Sequence, residues 1–89
     1  MFIVVEHTIT NPGAFFGLLS RVAEAPLGLK ALQFFPSISK DRAVCLWEAN
    51  SVDALKGFFE PLSAQSSRNT YYAVDTAKAI GLPTLAVAA

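Results

Sequence analysis

The sequence predicts one small α+β domain over residues 1–89, in which a single antiparallel sheet carries two helices on one face. Three observations indicate this fold. The chain has 89 residues, which is enough for one domain. Four segments rich in β-branched and aromatic residues are typical of strands, and two segments with helical spacing of apolar residues lie between them. Turn and capping residues separate these segments, so the element order is β-α-β-β-α-β.

The first strand and the first helix occupy the first third of the chain. Residues 2–9, FIVVEHTI, form the predicted strand. Asn11 is a good N-cap, and Pro12 suits the first helical position. Pro26 and Gly28 end this helix. The apolar residues of the helix recur at i, i+3, i+4 and i+7 and are Phe15, Leu18, Leu19 and Val22.

A hairpin follows the first helix. Residues 29–35, LKALQFF, form the second predicted strand, which Pro36 closes. The polar residues 37–42 form the loop, and residues 43–49, AVCLWEA, form the third strand. These two strands are therefore expected to be antiparallel neighbours.

The second helix and the fourth strand complete the domain. Ser51 caps the helix, and Pro61 is expected to disturb or end it. Residues 63–69 are then a loop, and residues 70–76, TYYAVDT, form the fourth strand. The predicted buried stripe of the helix consists of Val52, Leu55, Phe59 and Leu62.

This element order predicts a ferredoxin-like sheet. Two right-handed crossovers place the strands in the order 4-1-3-2, so that all neighbouring strands are antiparallel and both helices lie on one face. An antiparallel sheet with one solvated face normally alternates apolar and polar residues. Residues 2–5, 34–35 and 43–47 are instead apolar on both faces.

The excess of apolar residues predicts a partner subunit. The chain is 53% hydrophobic and only 16% charged. Covering the second sheet face with that of an identical subunit makes a dimeric α+β barrel, whereas a monomer would expose an aggregation-prone patch. The apolar tail, residues 76–89, is expected to dock on its own subunit or on the partner through Leu82, Leu85 and Val87.

Composition also argues against several classes of function. Seven basic and seven acidic residues cancel, and no basic stripe supports nucleic-acid binding. No apolar run approaches the ~18 residues that span a bilayer, and no signal-peptide pattern opens the chain. One cysteine cannot form an internal disulfide, which predicts a cytoplasmic protein.

Strand topology, rather than residue type alone, selects the candidate site. His7 ends the first strand, beside the start of the fourth strand and the end of the second, while Glu48 lies roughly 13 Å away at ~3.4 Å per residue. With the strands centred on each other, His7 lies opposite about Val44. His7 is the candidate catalytic residue, and the candidate ligand-binding residues are Arg68, Asn69, Tyr71, Tyr72 and Phe34.

Alternation along the first strand predicts which way His7 points. The aliphatic residues Ile3, Val5 and Ile9 share its face, so His7 is expected between the sheet and the helices, and Glu6 toward the subunit interface. Plainer interpretations remain open. His7 is then a hydrogen-bonded structural residue and Cys45 a small buried apolar one.

No standard catalytic or metal motif appears in the chain. A phosphate-binding Gly-rich loop, CxxC and HExxH are all absent. With one histidine and one cysteine, a Cys-His nucleophile pair has weak support. Glu6 and His7 point to opposite faces and cannot both bind one ion, so the residues themselves predict no metal site and no cofactor.

Two segments resemble a family of small dimeric α/β-barrel proteins, some of which are described as nickel-binding or nickel-responsive. VCLWEANSVDAL resembles that family's CLxEAPxxxAV region, through Cys45, Glu48 and Ala49. FIVVEHTIT resembles its first strand, which also ends in a histidine, here His7. Asn50 stands where the family has proline, and the family's histidines in and after the second helix have no counterpart. The broader superfamily, with pockets between sheet and helices, includes cofactor-free monooxygenases and lactone isomerases.

Three hypotheses follow. The first is a homodimer that binds a small organic molecule in a pocket near His7, as a binding protein or as a cofactor-free monooxygenase-like or isomerase-like enzyme. The second, implied by the resemblance, is a nickel-binding or nickel-responsive module. The third is a structural dimer without a ligand.

Overall fold

A computed structural model describes residues 1–83. It confirms an α+β fold with one four-stranded sheet, in which every neighbouring pair of strands is antiparallel. The strand order is β2-β3-β1-β4, which is the predicted order read from the other edge. The elements are β1 (Phe2–Ile9), α1 (Pro12–Gly17), α2 (Leu19–Val22), β2 (Leu29–Pro36), β3 (Arg42–Ala49), α3 (Val52–Ser63) and β4 (Ser67–Ala73).

The first predicted helix is divided in two at Leu18. The Asn11 side chain caps α1, as expected, by accepting a hydrogen bond from the Ala14 N–H. The Leu18 N–H then bonds back to the carbonyls of the preceding turn and closes α1 after Gly17, a residue that weakens a helix interior. Leu19 is 48% exposed, so it does not belong to the buried stripe predicted for it.

The second helix ends later, and the fourth strand begins earlier, than the sequence predicts. α3 continues through Pro61 to Ser63, so the proline lies within the last turn and does not end the helix. β4 begins at Ser67, because the segment pairs with β1 from Ile9 onward. Residues 63–69 are therefore mostly helix end and strand rather than loop.

The two faces of the sheet have different surroundings. The inner face packs against the helices, and its central residues Ile3 and Val5 are fully buried, together with Leu55 from α3. The outer face is opposite, and on it Phe35 is 58% exposed and Tyr72 50% exposed. Within residues 1–83, no helix has the length and apolar character needed to cross a membrane.

The chain after β4 turns back across the outer face. Residues 79–82 line a shallow pocket together with Val4, Leu46 and Tyr72 of the sheet. Leu46 is only 6% exposed, although it points away from the helices. Of the residues expected to dock the tail, Leu82 lies in this pocket, while Leu85 and Val87 lie outside the described residues.

Candidate functional site

His7 lies on the inner face, as predicted, near the C-terminal end of β1, and only 1% of its surface is exposed. It belongs to the central strand β1 and is held between two aromatic side chains. The ring of Phe15, from α1, is 5.0 Å away between centroids, and that of Phe59, from α3, is 5.3 Å away. An apolar environment of this kind is costly for a charged imidazolium ion.

Both ring nitrogens of His7 have partners. Nδ1 lies 2.7 Å from the side-chain oxygen of Asn69, which pairs with His7 across the β1–β4 ladder. Nε2 lies 3.0 Å from Sγ of Cys45 on β3. Cys45 stands diagonally across the β1–β3 ladder, where its direct partner is Val5. The two neighbours of β1 in the sheet, β3 and β4, therefore each provide one hydrogen-bond partner for the imidazole.

The hydrogen bonds of Asn69 determine which nitrogen of His7 carries the proton. The Asn69 amide nitrogen donates to Glu60 Oε2 and to Ser63 Oγ, both at 2.8 Å. Its oxygen therefore faces His7, and it also accepts from Ser67 Oγ at 2.9 Å. An oxygen acceptor requires an N–H at Nδ1, so in the neutral ring Nε2 presents a lone pair to the Cys45 thiol.

Glu60 anchors the far end of this chain of hydrogen bonds. Besides Asn69, its Oε2 accepts from the Tyr71 hydroxyl at 2.6 Å. The hydrogen bonds from Asn69 and Tyr71 lower the pKa of Glu60, so the group stays an acceptor. Burial, followed by the bond to Glu60, raises the pKa of Tyr71. The network runs from a carboxylate at the surface to a thiol in the interior.

Burial keeps the imidazole and the thiol uncharged. It lowers the pKa of His7, although the Asn69 hydrogen bond and the Glu60 charge oppose this change. It raises the pKa of Cys45 to about 12, and the nearby Trp47 indole opposes that rise. At neutral pH the pair is therefore a neutral thiol that donates to a neutral imidazole.

A cavity of about 180 Å³ lies beside this pair, between the sheet and the helices. Cys45, Phe15 and Phe59 line the cavity and are all neighbours of His7, which is not itself a lining residue. A β-bulge at Leu32 interrupts the β2–β3 register, and four consecutive β2 residues, 31–34, line the cavity. The remaining lining residues are Leu18, Leu19, Val22 and Trp47.

Trp47 supplies the one buried polar side-chain atom of residues 1–83 that lacks a hydrogen-bond partner. This atom is the indole Nε1, and the residue is only 1% exposed. Trp47 lies two residues after Cys45, on the same face of β3, and both line the cavity. A buried donor without a partner costs free energy, and a bound acceptor would remove that cost.

The candidate residues divide between the two faces. His7, Asn69 and Tyr71 share the inner face, where hydrogen bonds through Glu60 connect them. The six-residue prediction also placed Phe34 here, and it lines the cavity. The other two do not join the cluster. Alternation along β4 places Arg68 and Tyr72 on the outer face, away from His7.

The predicted β1–β3 register was wrong by one residue. His7 pairs with Ala43 rather than with Val44, and Glu48 pairs with Phe2 at the far end of the sheet, as expected. Because directly opposite residues share a face, the predicted register placed Cys45 on the face of the sheet opposite to His7. The alternation of Ala43, Cys45 and Trp47, which share one face of β3, was the signal in the sequence that could have indicated the correct register.

Glu60 and Trp47 were not among the predicted site residues. Glu60 reaches Asn69 only because α3 packs over β4, which no local pattern reveals. Within residues 1–83 no three His, Cys, Asp or Glu side chains are grouped closely enough to hold a metal ion.

No family model, curated protein or solved structure matches the chain. The geometry of the cavity and of the groups around it therefore carries the functional argument alone.

Proposed function

We propose that this protein is a cytoplasmic homodimer that binds a small organic molecule in the cavity between the sheet and the helices, beside His7 and Cys45. The observation that carries the proposal is the cavity itself, whose lining is almost wholly apolar and includes Trp47, a residue whose buried indole N–H lacks a hydrogen-bond partner within residues 1–83. Binding sites for small molecules typically combine apolar walls with a few fixed polar groups.

The size of the cavity selects a ligand with a single ring. An apolar cavity of about 150 Å³ is large enough to hold benzene, and this one measures about 180 Å³. The indole N–H of Trp47 donates and cannot accept, so the ligand that suits it carries an acceptor such as a carbonyl oxygen. The expected ligand is an aromatic or compact aliphatic molecule with one carbonyl group.

The outer face supports the homodimer. It exposes Phe35 and Tyr72 together, which is unusual for a monomer unless the surface has a partner. It also carries Glu6 and Arg68, which are exposed and of opposite charge. A two-fold axis brings each surface against its own copy, so opposite charges on one face can pair between subunits. A second copy of this chain is therefore the proposed occupant.

Nuclear magnetic resonance tests ligand binding directly, because the chain has one tryptophan and hence one indole N–H signal. Acetophenone should shift the Trp47 indole signal, since its ring fits the cavity and its oxygen accepts the N–H. Ethylbenzene has nearly the same shape without the oxygen, so it should shift the methyl signals of the cavity and leave the indole nearly unchanged.

Two matched variants locate the binding. Ala31→Phe adds a ring at the cavity wall and should abolish the acetophenone shifts. Ala54→Phe makes the same change on the exposed side of α3 and should leave them intact. Equal shifts in both variants, or none in the natural protein, would contradict the proposal and favour the structural dimer.

The nickel hypothesis depends on the His7–Cys45 pair. Imidazole and thiolate are donors that nickel accepts, and the two atoms are 3.0 Å apart. The heat measured in a calorimetric titration with nickel tests whether the pair binds the metal. Heat that disappears in His7→Ala would support a metal role, whereas no heat, or heat unaffected by that change, would remove it.

A further inference from the structure

We propose that Cys45 is the nucleophile and His7 the general base of an acyl-transfer site, which accepts small esters bound in the cavity, with Asn69 as a positioning residue. This inference rests on the proposed function, since the ester must occupy the same cavity. It assigns a substrate class and a reaction to a cavity for which the proposed function gives only ligand binding.

The geometry has the three parts that nucleophilic catalysis by a thiol requires. The nucleophile and the base are within reach, with Cys45 Sγ 3.0 Å from His7 Nε2. Asn69 holds the opposite nitrogen at 2.7 Å and sets the tautomer that leaves Nε2 free to take a proton. Ser67, Ser63 and Glu60 hold Asn69 in turn.

Trp47 provides an independent reason to place a carbonyl group here. Its indole N–H is buried, lacks a partner among residues 1–83 and belongs to a residue that lines the same cavity as Cys45. A donor in a water-poor site stabilises the negative charge that develops on a carbonyl oxygen under attack. The apolar walls then hold the carbon skeleton of the ester.

The first half of the reaction transfers the acyl group to Cys45. The thiol proton moves to His7 Nε2 while Sγ forms a bond to the carbonyl carbon, and the π electron pair moves to the oxygen, which accepts from Trp47. The oxyanion then reforms the carbonyl and the bond to the leaving alkoxide breaks. The alkoxide takes the proton from His7 and departs as an alcohol, leaving a thioester at Cys45.

The second half regenerates the thiol. A water molecule that enters after the alcohol leaves gives a proton to His7 and attacks the thioester carbon. The C–S bond breaks, the sulfur recovers the proton, and the acid is released. The sum is ester hydrolysis, which needs no oxidant, reductant or further reactant.

The neutral state of the pair predicts a distinctive pH profile. Because burial raises the pKa of Cys45 to about 12, attack by a preformed thiolate would accelerate about tenfold per pH unit throughout the neutral range. Attack assisted by His7 needs only the neutral imidazole. Its rate should therefore be nearly constant above the lowered pKa of His7.

The experiment follows acetylation of the intact protein by 4-nitrophenyl acetate. A burst of 4-nitrophenol, and an acetyl group on Cys45 in the mass spectrum, are expected at pH 7, on the order of 100-fold faster than for N-acetylcysteine amide. Cys45→Ala should abolish both the burst and the acetyl group in the mass spectrum. Asn69→Ala should slow it and restore a dependence on pH, whereas a purely structural Asn69 would leave the profile flat.

If a variant fails to fold, the acetylation rate of the natural protein still tests the inference. Acetylation no faster than that of the model thiol, with a tenfold rise per pH unit, would overturn it. If acetophenone still shifts the indole signal in that case, only the acyl-transfer inference is lost and the binding proposal stands. If acetophenone causes no shift either, both are lost.

Discussion

The inner and outer faces of the sheet are built from the same strands, yet they differ in which polar and apolar side chains they bury. The inner face buries a histidine, and both nitrogens of His7 have partners. The outer face leaves large apolar side chains exposed, with Phe35 at 58% and Tyr72 at 50%. Within residues 1–83 the inner face is covered by the helices, whereas the outer face is the surface on which we propose that a second copy packs. We therefore expect substitutions on the inner face to change the free energy of unfolding, and substitutions on the outer face to change association.

The largest effect on folding is expected from Phe59→Ala. Phe59 is 3% exposed and packs against the rings of His7 and Trp47. Removing such a ring leaves a void and should cost about 3–5 kcal/mol in the free energy of unfolding. Urea denaturation measures this loss. The matched change on the outer face, Phe35→Ala, should alter the subunit's own stability by less than about 0.5 kcal/mol, and equal losses would contradict the comparison.

A smaller loss is expected from Asn69→Ala. The substitution removes the acceptor for His7 Nδ1–H and the donor to Ser63, and leaves buried groups unpaired. Such groups cost about 1–3 kcal/mol. Thr70→Ala, one residue along β4 and exposed on the outer face, is the control and should be nearly neutral. If both variants unfold at the same urea concentration, the network contributes nothing to stability.

The sequence predicts the architecture well because strand and helix patterns are local. β1 was predicted at its observed bounds, and the proline at position 36 closes β2 as expected. The site was predicted only in part, since it depends on register and on how a helix packs over a strand. A register error of one residue separated Cys45 from His7, although both residues had been considered. Asn69 was placed in a loop, and Glu60 was not considered, because only the packing of α3 on β4 joins them.

Acid should weaken the inner face through His7. Burial lowers its pKa in the folded state below the unfolded value of about 6.5. As the pH falls through about 6.5, the unfolded chain takes up a proton that the folded chain does not. Stability is therefore lost, by at most about 1.4 kcal/mol per pH unit, until the pH passes the lowered pKa of the folded state. Urea denaturation between pH 7 and pH 5 should show this slope.

The control for the acid effect is His7→Gln, which has no titrating group at this position. Its stability should be nearly flat over the same range, since the imidazole that takes up a proton in the unfolded chain has been removed. A slope that persists in His7→Gln would assign the acid sensitivity to other groups.

The smallest effect on the folding of one subunit, and the sharpest test of the outer face, is expected from Phe35→Glu. The side chain is 58% exposed, so a charge there remains hydrated in the single subunit and should cost little. In the proposed dimer the same charge would be buried against an apolar surface, which is strongly unfavourable unless it is paired. Sedimentation velocity should show a dimer for the natural protein and a monomer for the variant. Leu27→Glu, at a fully exposed residue outside both faces, should remain a dimer. A natural protein that sediments as a monomer at every concentration would contradict the proposed homodimer.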